Sequence, residues 1–317
     1  MSFCVLGTGS YAPPKVVTND DLASFLETSD EWIRERTGIR QRHVCEKESA
    51  CDLAYQAALA ALEQSGVKAE ELDMILCATI SSDFSTPSMA CVVQKRLGAS
   101  CPAMDISAAC SGFLFLLDTA AGFFARGRVK KMLVIGAERI SRLLDWDDRS
   151  TCVIFGDGAG AMVLGEGENY LISQLSSKGD DEVIRTPVFE GKSPFNKREQ
   201  ENPYIHMKGQ ETFRFAVTAM THDLKNLIAQ AGFSEGDIDW VVPHQANIRI
   251  IDAAKKRLNI PPERFCVNID RYGNTSAASI PMMMDELNRS GKLKRGDLMA
   301  LCAFGGGLSS AACILRW

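Results

Sequence analysis

Apolar residues along this chain gather in short continuous blocks rather than in strict alternation. The clearest are MILCATI (74–80), MLVIGAE (132–138), WVVPH (240–244) and LMALCAF (298–304). Runs of this length, rich in Val, Ile and Leu, suit strands buried on both faces. Helix-like segments separate them, among them QKRLG (94–98) and KKRLN (255–259). Strands alternating with helices predict βαβ units and mostly parallel sheets. The stretch SGFLFLLDTAAGFFARG (111–127) is apolar nearly all round and predicts a helix buried on every side.

The pattern also repeats. LEQSGVKAEELDMIL (62–76) matches IAQAGFSEGDIDWVV (228–242) at an offset of 166 residues. QKRLGA (94–99) matches KKRLNI (255–260) at 161, and GRVKKMLVIGA (127–137) matches GKLKRGDLMALCA (291–303) at 164. Three segments in one order at nearly one spacing indicate a duplication. The expected fold is therefore α/β, with two βαβ halves in five layers, α/β/α/β/α. The halves are placed at residues 1–168 and 169–317, with the linker near GEGENY (165–170). The polar segment 178–203 contains prolines and is expected to be a long surface excursion.

Composition narrows the classes. The chain has 317 residues, 46% hydrophobic and 24% charged, with a formal net charge of −5. Bulk nucleic-acid or anionic-membrane binding is disfavoured, so an anionic ligand needs a local basic patch. No uncharged apolar run of about 18 residues suggests a membrane span, and no signal-peptide pattern opens the sequence. The eleven cysteines are odd in number and contain no C-x-x-C. They read as reduced thiols, mostly core filling, of a cytoplasmic protein. No metal site is expected.

In α/β sheets, ligands bind beyond the carboxyl ends of strands. Cys110 lies there, between PAMDISAA and the buried helix. A helix N-terminus favours a thiolate, and the backbone N–H of such a turn can face an oxyanion. His244 follows the strand DIDWVV, and Asn274 sits in the turn of DRYGNTSAAS (270–279). Taken singly, each has an ordinary structural explanation: a core thiol, a satisfied imidazole, a turn or cap. The duplication places Cys110 in one half and the other two in the second, so pseudo-twofold packing can bring them together.

Five motifs in order now identify a resemblance. They are ETSDEWIRERTGIRQRH (27–43), FGDGAGAMVL (155–164), VPHQANIRII (242–251), DRYGNTSAAS (270–279) and AFGGG (303–307). Over nearly its whole length the chain resembles the β-ketoacyl-acyl-carrier-protein synthase III family, acyltransferases of thiolase-like fold that work as homodimers. The resemblance implies that Cys110 takes the acyl group of a short acyl-coenzyme A primer. It implies that malonyl-acyl carrier protein then loses CO₂ and its enolate attacks the acyl-Cys110 thioester. The product is a 3-oxoacyl-carrier that initiates fatty acid biosynthesis. His244 and Asn274 would hold the enolate oxyanion, and the N–H groups of Cys110 and Gly306 the thioester oxyanion. Coenzyme A is a substrate in this scheme, and no cofactor is implied.

By the same resemblance Trp32 and Arg149 sandwich the adenine. Thr28, Arg36, Gly209 and Asn247 contact the phosphates and pantetheine. Arg249, helped by Arg214, Lys255 and Lys256, receives the acidic carrier protein. Two positions depart from many members. Thr86 in FSTPSMAC replaces a bulky aromatic that caps the acyl pocket from the neighbouring subunit, and FGGGLSS lacks an aromatic after its glycines. Both leave primer size open. The rivals are a type III polyketide synthase, an acyltransferase to other acceptors, a noncatalytic acyl- or carrier-binding protein and a cysteine hydrolase. GDGAG (156–160) lacks the Lys-Ser/Thr of a phosphate-binding loop.

Overall fold

The computed structural model describes residues 2–191 and 193–317. Its first sheet comprises β1 (Ser2–Tyr11), β2 (Met74–Ala78), β3 (Ala103–Ile106), β4 (Lys131–Glu138) and β5 (Gly158–Gly167). Their order is β1-β5-β4-β2-β3. The second sheet comprises β6 (Tyr170–Asp180), β7 (Trp240–Pro243), β8 (Leu298–Gly305) and β9 (Gly307–Arg316), in the order β6-β9-β8-β7. The two orders superpose strand for strand, with β6, β9, β8 and β7 in the places of β1, β5, β4 and β2. Where β3 pairs with β2, the second sheet keeps only one parallel bridge, Val241 to Phe265. The chain passes from one sheet to the other at Glu168 and Asn169.

The sheets are mixed, which corrects the expectation of mostly parallel ones. β2 pairs in parallel with β3 and β4, and β7 with β8. The pairs β4–β5, β1–β5, β8–β9 and β9–β6 are antiparallel. In sequence, GDGAGAMVLGEG and the C-terminal LSSAACILR carry no helix before them. Each therefore returns beside the preceding strand as an antiparallel neighbour, which needs no crossover.

Seven helices position what matters here: α1 (Asp30–Thr37), α2 (Ala50–Ser65), α3 (Met89–Leu97), α4 (Gly112–Ala125), α5 (Gly209–Gln230), α6 (Ile248–Lys255) and α7 (Ser279–Arg289). Helices α1, α2 and α3 start at Ser29, Ser49 and Ser88, whose side chains accept N–H bonds, and stop at Gly38, Gly66 and Gly98 in left-handed conformation. Helices α4 and α7 lack such caps because each grows out of a tight turn, Ala109–Ser111 and Ser276–Ala278.

Three apolar layers follow. Helices α2 and α3 cover the outer face of the first sheet through Leu53, Ala57, Ala61, Met89 and Val93. Helices α5 and α6 cover the outer face of the second through Val217, Leu224, Leu227 and Ile251. Between the sheets lie α4 and α7, which bring Phe113, Leu117, Phe124, Ile280 and Met284 against Leu76, Val134, Leu301 and Ala311. Helix α4 is thus buried as its all-round apolarity predicts. A fourth cluster joins α1, Ile140, Leu144, Val153, Phe155 and Ile205 beside the sheet ends.

Close packing of α7 depends on Gly160 of β5. A Cβ there would stand 2.5 Å from Met282 N and 2.6 Å from Pro281 C, both backbone atoms that cannot swing aside. Gly160→Ala is expected to cost about 1–3 kcal/mol by forcing helix and sheet apart. A lower urea midpoint with an unchanged slope checks it.

Candidate active site

At the carboxyl ends of β3, β4, β7 and β8 a cavity of about 710 Å³ opens. Cys110, His244 and Asn274 all line it. Cys110 sits in the turn Ala109–Ser111, one residue beyond Ala109, which has a positive φ of 47°. In the second half Ser276 has φ 51° and opens the turn Ser276–Ala278. The duplication thus builds the same strained turn twice, and the two turns meet between the sheets.

Gly305, the last residue of β8, faces the Cys110 turn. A Cβ there would lie 2.7 Å from Cys110 N and 3.1 Å from Cys110 Cβ. Glycine is therefore required for β8 to approach the nucleophile turn. Gly306 follows it on the cavity wall, close to Ile184.

The thiol departs from expectation. Cys110 is half-buried in the cavity, and loss of solvent pushes it up to about 11, with Glu138 adding repulsion. Contact with the Ser276 hydroxyl acts in the opposite direction. Helix α4 begins only at Gly112, after the intervening turn. The resting group is a thiol, because burial outweighs the groups that favour the thiolate.

His244 is buried, its N–H bonded to Cys302 O at 2.8 Å. Its Nδ1 lies 2.7 Å from Ser279 Oγ, which also accepts the Gln245 N–H at 3.4 Å. With the Ser279 hydroxyl donating to Nδ1, the neutral imidazole carries its own proton on Nε2. Nε2 has no protein partner among the described residues. Burial lowers the His244 pKa to about 3, so the ring is neutral. Asn274 is fixed similarly: its Oδ1 accepts the Ser276 N–H at 2.8 Å. Two backbone bonds with the 154–156 segment hold its main chain. That leaves the amide Nδ2 as the group free to donate. With that tautomer two N–H donors, one past the end of β7 and one from the turn before α7, face one space beside the thiol.

Trp32, Arg36, Gly209, Asn247, Arg214 and Arg249 also line the cavity. The Arg36 guanidinium lies 4.4 Å and that of Arg149 5.3 Å from the Trp32 ring centre. An intercalated ring needs about 7 Å, two stacking distances. The expected sandwich of Trp32 and Arg149 is therefore closed here, and Arg149 instead donates to Glu27 O at 2.5 Å. Asn247 has structural duties: it caps α6 through Arg249 N and donates to Arg36 O, both at 2.9 Å. Thr28 is off the cavity wall, and its Oγ1 is buried without a partner among the described residues. Thr86 is exposed and also off the wall. Arg249 stacks 5.9 Å from the Phe213 ring at the start of α6. Lys255 and Lys256 lie at the other end of that helix, about 10 Å along its axis. Lys255 is paired with Asp252 at 3.2 Å. These two do not join the patch formed by Arg249 and Arg214.

The sequence reading missed several residues. The excursion 178–203 does not stay on the surface: Ile184 and Thr186 reach the cavity wall, followed by Ile205 and Met207. Isolated β-branched residues in a polar stretch were the only signal. Ser276, Ser279 and Glu138 were also missed. For Glu138 the signal was a carboxylate closing the apolar run MLVIGAE. Among the described residues no cluster of His, Cys, Asp or Glu is arranged for a metal, and no helix is long and apolar enough to cross a membrane.

Comparison with known proteins now decides the family. A family profile described as 3-oxoacyl-[acyl-carrier-protein (ACP)] synthase III matches residues 104–179, and one for the C-terminal part of that family matches 228–317. The β-ketoacyl-[acyl-carrier-protein] synthase III of Clostridium acetobutylicum is 46% identical over 318 residues, covering 99% of this chain and 98% of its own. The chain belongs to the β-ketoacyl-acyl-carrier-protein synthase III family. The Xanthomonas euvesicatoria enzyme of the same name is 47% identical over 319 residues, with 99% and 98% coverage. The crystal structure of the Aquifex aeolicus synthase III superposes with a TM-score of 0.93 at 44% identity, covering 99% of this chain and all of that one. A priming β-ketosynthase of the R1128 polyketide pathway gives 0.92 at 33% identity, with 99% and 96% coverage. The five-layer architecture is thus the thiolase-like fold of this family.

The neutral His244 has a consequence for stability. In the unfolded chain it binds a proton below its ordinary value of about 6.5; in the folded chain it resists until about 3. Its folded value is depressed, so the unfolded state holds more protons between those limits and stability is lost as the pH falls through them. The His244 contribution is expected to cost about 2 kcal/mol between pH 7.5 and 5. Urea titrations of wild type and His244→Gln across that range check it: the wild type should lose more.

Proposed function

We infer that the protein is a β-ketoacyl-acyl-carrier-protein synthase III, an acyltransferase that condenses a primer with malonyl-acyl carrier protein. The observation that carries the site assignment is the convergence of one thiol and two unpartnered N–H donors in a single cavity. Cys110 is the acyl carrier. Its sulfur attacks the thioester of a short acyl-coenzyme A, and coenzyme A leaves. Holding the primer covalently divides one difficult transfer into two. The N–H groups of Cys110 and Gly306 receive the oxyanion of that step.

In the second stage malonyl-acyl carrier protein loses CO₂. Negative charge grows on its thioester oxygen, and His244 Nε2–H and Asn274 Nδ2–H stabilise it. Fixed donors need little reorganisation, and losing one costs about 3–4 kcal/mol of transition-state stabilisation. Decarboxylation itself generates the carbon nucleophile, so no residue has to take a carbon-bound proton. A neutral histidine suits this role better than a charged one, because it donates without having to lose a bound counterion.

Trp32, Arg36 and Arg149 receive the adenosine end of coenzyme A, with Arg149 turning aside to admit the ring. Gly209 and Asn247 line the path of the pantetheine arm. Arg249 and Arg214 meet the acidic carrier at the cavity mouth. The enzyme works in the cytoplasm as a homodimer, in which Thr86 of one subunit closes the acyl pocket of the other. Thr86 and the half-exposed Phe84 on the same surface loop support that contact.

Intact-protein mass after incubation with a panel of acyl-coenzyme A species tests the first stage. A stable adduct is expected on wild type and none on Cys110→Ala; no adduct with any species would sink the reading. Replacing His244 or Asn274 with alanine should slow condensation by about 100–1,000-fold. Arg249→Glu separates the partners. It should weaken carrier-dependent condensation while sparing acyl transfer from coenzyme A, and equal loss in both would remove Arg249 from the carrier site.

A further inference from the structure

Two buried hydroxyls join the halves of the molecule behind the cavity. Ser111 ends the nucleophile turn, and Ser309 lies near the start of β9; both are buried. Their Oγ atoms lie 2.6 Å apart. Ser111 Oγ is also 3.0 Å from Ala108 O. Ser309 Oγ is 3.0 Å from Gly306 O and 3.4 Å from Ala108 O. Ser111 stands where α4 begins, yet its side chain caps no helix N–H. Two hydroxyls have two protons to give: one spans the pair, and the other goes to a carbonyl. In either direction the bonds cross from the Ala109–Ser111 turn to the β8–β9 connection.

That crossing lies next to both N–H groups assigned to the thioester oxyanion. Ser309 is paired with Gly305 across β8 and β9. Gly305 is packed so closely on the turn that a Cβ would stand 2.7 Å from Cys110 N. The Gly306 N–H belongs to the peptide that leaves Gly305. Cys110 and Gly306 line the cavity, whereas Ser111 and Ser309 stand behind it. Two donors serve one oxyanion only when both lie about 2.7–3.1 Å from where it forms. Here they come from different halves. The glycine run has no side chains to hold its peptides, and glycine backbone is permissive. The packing of Gly305 on the turn is contact without direction. The hydroxyl bridge supplies the direction.

We propose that the Ser111–Ser309 bridge is a positioning device that holds the Cys110 and Gly306 N–H groups as a pair during acyl transfer, which deepens the synthase reading above and rests on it. Neither serine touches substrate. When Cys110 Sγ adds to the thioester carbonyl carbon, the carbonyl electron pair moves onto its oxygen, and that oxygen meets both N–H groups at once. Without the bridge the turn and the glycine run move independently, and one donor drifts from its place.

The test compares two reactions of one thiol. Acylation of Cys110 by acetyl-coenzyme A, followed over a range of concentrations by rapid quenching and intact mass, passes through an oxyanion. Alkylation by iodoacetamide displaces iodide from a saturated carbon and forms none. Ser111→Ala and Ser309→Ala should each lower the maximal acylation rate about 10- to 100-fold, with the half-saturating concentration near wild type. Alkylation in both should stay within about twofold of wild type, because the thiol and its access are unchanged. The double variant should acylate within about twofold of the slower single variant, since either change removes the same bridge. Equal loss of acylation and alkylation marks a displaced thiol and overturns the proposal. So do wild-type acylation in both single variants and losses that multiply in the double. If Ser309→Ala does not fold, as thermal melting will show, Ser111→Ala alone breaks the bridge and decides the matter. A wild type that is alkylated but takes no acyl group removes the synthase reading and this role with it, whereas an acylated wild type with unimpaired variants removes the bridge alone.

Discussion

Two backbone turns must meet between two sheets, and the site depends on that meeting. Ala109–Ser111 and Ser276–Ala278 each start with a non-glycine residue at positive φ. Such residues cost free energy and persist where the surroundings over-determine them. Here the surroundings are a duplicated core. Helices α4 and α7 leave the turns in equivalent positions and are clamped by both sheets at once. Strain at the turns is offset by burial of two apolar helices. The turns also bring a thiol from one half beside a hydroxyl from the other.

The rest of the site is a matter of which hydrogen-bonding capacity is already spent. Ser279 satisfies one nitrogen of His244, and Ser276 N satisfies the oxygen of Asn274. What remains unspent on both side chains is an N–H group. A polar group left unpaired in a buried place is costly. The cost is tolerable at a cavity wall where a developing negative charge will supply the partner. Burial then acts on three titratable groups in one direction, toward neutrality: it raises Cys110 and Glu138 and lowers His244. A single environment so produces a proton-bearing nucleophile, a carboxyl near neutrality and a neutral donor.

Much of this was legible in the sequence because it depends on periodicity and order. The apolar blocks located β2, β4, β7 and β8, and the all-round apolar stretch located α4. The repeat offset anticipated matched strand orders, and the five motifs led to the family. What stayed hidden depends on three-dimensional proximity. Strand direction in β5 and β9 follows from the lack of a crossover, which short apolar runs do not display. Ile184 reads as part of a polar excursion until the chain folds back past Gly306. Lys255 looks like part of Arg249's patch until the helix axis separates them. The thiolate expectation erred because a helix N-terminus was weighed without the desolvation around it.

The same reasoning bears on why Glu138 escaped notice. A charged residue at the end of a buried strand reads as the point where the strand meets water. Here the strand end meets a second copy of its own architecture instead, so the carboxyl is buried by the duplication. Its hydrogen bonds come from Thr79, Ile80 and Ser81 of its own half and from Ser276 of the other. Its setting is therefore shared between the joined halves. That holds for His244 and Asn274 too, since the cavity they face is completed by Cys110 from the other half. Duplication supplied a scaffold with two equivalent turns. Divergence then placed the nucleophile in one turn and, beside the other, the amide of Asn274 that faces the same cavity.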